Sequence, residues 1–429
     1  MAQLLAAQGF RASRLTSRAL QYWRVFHTGL EDAAATVTET IERTDVLVIG
    51  AGIAGLSLAA TLAPHCQVVV LERESHPGYH STGRSAAYFS PALGNEVVQA
   101  LTIASGEFFR KPEPGFTEVP LLHPRDALHL FPKGARMDAE EPLLGREATA
   151  CVTEVSVRDA AGLWPVLREG YLAGAALERG GGDLDVDALL QGYRRALLRA
   201  GGNLVTGAEV LELTRAGAAW HCRTGRKTVH AKLLVNAAGA WGDEVASAAG
   251  VAPIGLTPLR RTAMVLPLAS GIDARSWPFV VQGTEHAPFY VRPDAGALML
   301  SAADEQPDVA RDAQPEELDV AQAVDRLQRA STLRFEQVTR AWAGLRTFAP
   351  DRTFVVGFDC RQDDFFWCVG QGGYGVQTAP ALARLGACVL LEALRPAAAQ
   401  GLALSSQSSL ARAVDPGRFS SRHPAGPPT

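Results

Sequence analysis

Cysteine is sparse and scattered. The 429-residue chain has six, Cys66, Cys151, Cys222, Cys360, Cys368 and Cys388, none in a CxxC pair or any ligand-like spacing. Neither a disulfide framework nor a zinc site is expected, no residue is assigned to a metal, and a reducing compartment is the simplest setting. Charge of one sign is also lacking: 20% of residues are charged and the formal net charge is -4, which leaves no basic patch for nucleic acid. No stretch of about 18 apolar residues passes without a charge. The best one, residues 379–394, is broken by Arg384 and Glu392, so no transmembrane segment is expected. What is present is 47% hydrophobic residues, enough for a large core. A chain of this length divides into about two or three domains.

The first 30 residues are unlike the rest. They carry Arg11, Arg14, Arg18 and Arg24 among Ala, Leu and Ser, with no acidic residue before Glu31. Two readings stand: a mitochondrial transit peptide, or a loosely ordered extension from an upstream start, which leaves the protein cytoplasmic. Residues 1–43 are set apart as leader or extension, with the cytoplasm as the default location. Residues 405–429, rich in Ser, Pro and Arg, read as ending in a disordered tail.

Between these ends the pattern alternates. Residues 46–49 are an apolar run that fits a buried parallel strand, 53–62 fit a helix and 68–71 the next strand, together a βαβ unit. Residues 184–201 fit an amphipathic helix closed by glycine, followed by further strands; 258–301 read as strand after short strand, and 315–333 as another helix. A strand, a glycine-rich turn and a long helix return at 352–394. Sheet units at both ends around a β-rich middle imply two interleaved domains.

Gly50, Gly52 and Gly55 form GxGxxG directly between the first strand and its helix. The first permits a sharp turn, the second lets backbone approach a pyrophosphate and the third lets helix pack on strand, while the helix N-terminus offers free N–H groups to phosphates. Glu72 ends the second strand, where an acid about 20 residues further on hydrogen-bonds a ribose hydroxyl and repels a 2′-phosphate. The unit by itself fits either FAD or NAD.

Three later stretches resemble the flavin contacts of the D-amino-acid oxidase and glycine oxidase superfamily: "RESHPGYHSTGRSAAYFSPALGN" after Glu72, "LLVNAAGAWGDEVA" from Leu233 and "GQGGYGVQTAPA" from Gly370. The resemblance implies FAD as cofactor. It also implies an α/β fold in which a Rossmann-like FAD-binding domain (44–110, 183–255, 345–412) is interleaved with a β-rich α+β substrate domain (111–182, 256–344), with 413–429 as tail. The implied cofactor contacts are Gly50, Gly52, Ile53, Ala54, Gly55, Glu72 and Arg73; then Ser81, Thr82, Arg84, Ser85, Ala86 and Ala87; then Val210, Ala238, Gly239 and Trp241; and last Gly344, Arg346, Gly372, Gly373, Tyr374, Gly375, Val376 and Gln377. Relatives that tether flavin through histidine carry it at the position of Ser85, so a noncovalent FAD is expected.

Within the superfamily the chain is similar to bacterial D-arginine dehydrogenases, in "PGYHSTGRSAA", "LVNAAGAW", "RRTA", "WAGLRTF" and "QGGYGVQT". That similarity implies that Arg346 clamps a substrate carboxylate, Tyr290 hydrogen-bonds it and Arg261 lines the pocket. Amides around Gly372 would stabilise charge on the reduced ring. The chain departs from the pattern where Tyr88 and Leu93 replace a histidine and a tyrosine of the covering loop, and where Ala127 replaces a cation-binding glutamate; the adjacent Asp126 points to the other face of its strand. A neutral or apolar D-amino acid is therefore the expected substrate, oxidised at its C–N bond by hydride transfer to flavin, with oxygen or a quinone-type carrier taking the electrons. Alternatives are an enzyme for N-methyl amino acids or 2-hydroxy acids, and a non-catalytic flavoprotein of the kind that assists respiratory-complex assembly.

Overall fold

The computed structural model describes residues 41–134, 151–283, 287–399 and 408–422. Beyond Ile41 these belong to one compact unit, Glu42–Thr429. The expected leader lies outside the described residues except for 41–43, which begin the first strand, Ile41–Ile49.

That strand pairs in parallel with Val68–Leu71, Val46 opposite Val68 and Ile49 opposite Leu71. The helix between them is Ile53–Leu62, and all four residues of the second strand are buried. The apolar run is continuous because both faces of the sheet are covered. Val46 and Val48 face a core shared with Ile53–Leu62 and the long helices Glu96–Arg110, Val186–Arg199 and Gly375–Leu394, whereas Leu47 and Ile49 face one with Trp220 and Trp367. Asn203–Val205 extends the sheet in parallel beyond Val68–Leu71. On the other side the sheet continues through Thr228–Asn236 into an antiparallel meander of Ala219–Thr224 and Val210–Ala216, and Phe365–Val369 pairs in parallel with Thr228–Asn236. The helix expected at 184–201 runs Val186–Arg199, because Asp185 caps it by accepting from the Ala188 amide at 2.8 Å.

A second, nine-stranded sheet carries the β-rich middle. Its longest strands, Thr257–Pro267 and Arg340–Phe348, pair antiparallel, Arg261 opposite Gly344 and Leu259 opposite Arg346. The expected domain boundary at 344/345 falls inside this second strand. Glu317–Ala330 packs on the outer face with Ala323, Leu327 and Ala330 in a core with Met264 and Leu298. Alternation along Thr257–Pro267 sends Arg260 outward to Glu316 and to Asp319 (2.9 Å), and leaves Arg261 on the inner face.

The stretch read as a tail is folded where it is described. Ser409–Val414 is a helix capped by Ser408, Phe419 is 4% exposed in the core, and Arg418 pairs with Asp351 at 2.7 Å. One buried aromatic and one ion pair outweigh a composition that favours disorder. Residues 400–407 and 423–429 lie outside the described part. Among the described residues no helix is long and apolar enough to cross a membrane.

Candidate active site

The glycine turn is closed by contacts that no side chain tolerates. Gly50 has φ +103°, and a Cβ there would sit 2.5 Å from the Ala237 carbonyl oxygen; at Gly55 it would sit 1.9 Å from the Gly50 carbonyl oxygen. The helix begins at a glycine cap with no side chain to fold back over its amides. Thr82, from the loop after the second strand, accepts from the Ile53 amide at 3.0 Å and so ties that loop to the turn. Glu72 is held in place by accepting from the Ala51 amide (2.8 Å) and the Glu74 amide (2.9 Å).

A cavity of about 470 Å³ runs from this turn to the second sheet. One end is lined by Glu72, Arg73, Val210 and Trp241, the middle by Gly50, Gly52, Ile53, Ala54, Thr82 and Ser85, and the far end by Arg261, Tyr290, Gly344, Arg346, Gly372, Gly373, Gly375 and Val376. Arg73 stacks on Trp241, its guanidinium carbon 4.2 Å from the ring centre.

At the far end one face of the second sheet looks into the cavity. Tyr290 opposes Ser301, Ser301 opposes Ala263 and Ala263 opposes Trp342, and residues two apart share that face, so Arg261, Gly344 and Arg346 join them. Arg346 Nη2 donates to the Tyr290 hydroxyl at 3.3 Å. Among the described residues no carboxylate forms an ion pair with Arg346. Burial and then the like charge of Arg261 weaken the hold of Arg346 on its proton. Burial alone would raise the Tyr290 phenol, but the guanidinium groups of Arg346 and Arg261, with the Ser301 hydroxyl, outweigh it and hold the phenol below its ordinary range.

The match with known proteins decides the family. Residues 45–388 fit the family model described as FAD dependent oxidoreductase. The chain belongs to that family. FAD-dependent oxidoreductase domain-containing protein 1 of Bos taurus is 27% identical over 82% of each chain. Mitochondrial dimethylglycine dehydrogenase of Homo sapiens is 23% identical over 63% of this chain, which spans only 31% of the human protein's length. Among solved structures, L-proline dehydrogenase from P. horikoshii superposes with a TM-score of 0.74 at 19% identity, over 90% of this chain and all of that one. Glycine oxidase from Geobacillus kaustophilus gives 0.69 at 19% identity, over 81% and 95%. These likenesses establish the DAO-type α/β fold with mixed sheets.

The cofactor of this FAD-dependent oxidoreductase is FAD, and the cradle suits it: glycines that bring bare backbone to the wall, a fixed carboxylate near one end, and a guanidinium at the other. Of the expected contacts, Ser81, Arg84, Ala238 and Gly239 also line the cavity. Arg84 is spent as a strap: it donates to the Ala313 and Ala343 carbonyls (3.0 and 2.8 Å) and pairs with Asp312 (2.5 Å). Gly55, Ala86, Ala87, Tyr374 and Gln377 stand off the wall, Gln377 donating to Thr102 at 3.0 Å. In the late glycine turn the Gly372 and Tyr374 amides are taken by the Thr347 and Gln371 carbonyls, which leaves Gly373 and Gly375 facing the cavity. Tyr88 is also off the wall, stacked on Phe279 with 4.3 Å between ring centres and donating to the Arg125 carbonyl at 2.6 Å.

Ala127 is buried in an apolar cluster with Phe279, Tyr290 and Met299, and Asp126 is exposed. Sequence reasoning missed Glu178, the cross-strand neighbour of Ala127. It is fully buried but committed, accepting from Ser90 Oγ at 2.6 Å and meeting His129 Nε2 at 3.0 Å. Reasoning from motifs also missed Leu213, Val245 and Ala248, apolar wall residues of the cavity. Val245 lies within the stretch from Leu233 but was not singled out, and Leu213 and Ala248 carry no motif; their place on the meander edge and the helix after Trp241 brings them there.

Proposed function

We propose that the chain oxidises the C–N bond of a D-amino acid with a neutral or apolar side chain, giving an imino acid that water converts to a 2-oxo acid and ammonia. The observation that carries this reading is Arg346, a guanidinium on the cavity wall with a phenol beside it and, among the described residues, no carboxylate in ion-pair reach. A cation held this way is costly unless an anion arrives. A guanidinium fork matches a carboxylate in two parallel hydrogen bonds, and Tyr290 adds a neutral donor. When bound, FAD supplies the two-electron acceptor. The chain supplies position: Arg346 lies against Gly373, where a Cβ would come within 2.8 Å of its Nη1, so the carboxylate clamp adjoins the late glycine turn. A substrate fixed there by its carboxylate has its α-carbon restrained, which lowers the entropic part of the barrier. An amine bound neutral needs no strong base from the protein.

The neutral side chain is supported by the apolar cluster around Ala127 and by the commitment of Glu178 to Ser90 and His129. The D configuration rests on the motifs shared with D-arginine dehydrogenases. Similarity to dimethylglycine dehydrogenase favours a second reading, an N-methyl amino acid held by the same clamp. The test is anaerobic titration of the FAD-loaded protein with neutral D-amino acids, D-arginine, their L-isomers, N-methyl glycines and 2-hydroxy acids, following the flavin band. Bleaching by neutral D-amino acids is expected. Bleaching only by N-methyl glycines would select the second reading, and none at all would favour a non-catalytic flavoprotein.

A further inference from the structure

Arg261 and Arg346 lie on one sheet face, and each guanidinium carbon is 5.9 Å from the centre of the Tyr290 ring. Two open guanidinium groups about one phenol would draw a doubly charged anion. Arg261, however, is not open. Its Nε donates to the Asp304 carbonyl at 2.7 Å and its Nη2 to Glu305 Oε1 at 3.0 Å. Glu305 is shared, because Arg352 Nη2 reaches both its oxygens at 3.0 Å. The Asp304 carboxylate is turned to the neighbouring strand instead, accepting from the Thr262 amide (2.7 Å) and hydroxyl (3.0 Å). The Arg261 side chain is 11% exposed and that of Glu305 37%, so water screens the pair from the acid's side while the neutralised guanidinium faces the cavity.

We propose that Glu305 sets the charge of the substrates this site accepts: by holding Arg261 in an ion pair it leaves Arg346 as the single open guanidinium, and monocarboxylates are favoured over dicarboxylates. The inference rests on the reading of Arg346 as a carboxylate clamp and goes beyond it, since it assigns Glu305, a residue off the cavity wall, the role of pairing the charge that Arg261 brings to that wall. It narrows the substrate class to amino acids with one carboxylate.

The test needs no turnover. FAD-loaded protein is titrated with acetate, malonate and succinate, which flavin does not oxidise, and binding is read from the perturbed flavin spectrum. The wild type is expected to bind acetate more tightly than either dicarboxylate; the reverse order would overturn the proposal by itself. In Glu305→Gln the dicarboxylates gain about ten-fold relative to acetate, the size of one partly screened charge. Glu305→Asp, which keeps the charge, restores the preference for acetate, and Arg352→Gln, which leaves Glu305 wholly to Arg261, keeps it. A Glu305→Gln protein that retains flavin and its unfolding temperature, yet shows the wild-type ratio, would also overturn it. If the ratio shifts while no amino acid bleaches the flavin, the reaction proposed above fails and the role of Glu305 stands. If no carboxylate perturbs the flavin, both fall.

Discussion

An exchange of Arg346 for lysine keeps the charge and removes the fork. Because the clamp is a planar guanidinium beside the Tyr290 hydroxyl, Arg346→Lys should lower kcat/KM about a hundred-fold, mostly through KM, with flavin content unchanged. Steady-state kinetics on the best substrate found checks this. Tyr290 gives a pH dependence whose sign follows from its environment. Its pKa lies below the usual range because the two guanidinium groups, with the Ser301 hydroxyl, outweigh burial. Below that pKa the phenol is neutral and donates to a carboxylate; above it the phenolate occupies Arg346 and repels one. Acetate affinity should therefore be full below the lowered pKa and fall as pH rises through it. In Tyr290→Phe affinity should be weaker at neutral pH and flat. Spectral titration from about pH 7 to 10 distinguishes the two, and a wild-type affinity that does not fall would refute this reading of Tyr290. Single residues were legible in the sequence where a motif fixes their place, as in Gly50, Glu72 and Arg346, all three on the cavity wall. Tyr88 was not: its hydroxyl finds the Arg125 carbonyl and its ring finds Phe279, partners distant along the chain that no local pattern reveals.

At the scale of elements, the helix and second strand of the first βαβ unit were readable to the residue because glycines bound the helix on one side and the apolar runs of a doubly covered sheet flank it, whereas the first strand begins at Ile41, ahead of the apolar run expected at 46–49. The order of the second sheet was not, since its neighbours come from all along the middle of the chain and pairing across such distances leaves only alternation as a local trace. The unit yields a sharp prediction. Gly55→Ala drives a methyl into the Gly50 carbonyl, a backbone atom that cannot yield, so the variant should lose bound flavin on gel filtration. Gly162, in the helix Val157–Leu163, has open space around it. Gly162→Ala should retain flavin and gain about 0.5–1 kcal/mol by thermal or urea unfolding. Loss of flavin from both would point to general fragility rather than to the turn.

For the molecule as a whole, the cavity is walled by segments from near both ends of the described chain, from Ile49 to Val376. Filling it joins the two sheets, so removal of FAD should lower the unfolding temperature, and FAD at 100 times its Kd should return about 2.7 kcal/mol. Calorimetry with increasing FAD checks this, and an unfolding temperature indifferent to the cofactor would contradict it. The strand Arg340–Phe348 lies at the centre of that junction. Along a single face it presents Trp342, whose indole donates to the Arg84 carbonyl, then Gly344 against the Arg84 stem, Arg346, and Phe348, whose ring sits where a Cβ on Gly372 would go. Four alternate positions thus serve the loop after the second strand, the cavity wall, the proposed clamp and the late turn, and a change at any one is felt by the others. Directed evolution of substrate range will find little freedom there. Phe279 and Val281 on one neighbouring strand and Met299 on another pack behind Tyr290 rather than on the wall, so changes of their size reach the substrate side only through that ring and leave the way the cofactor is held unaltered.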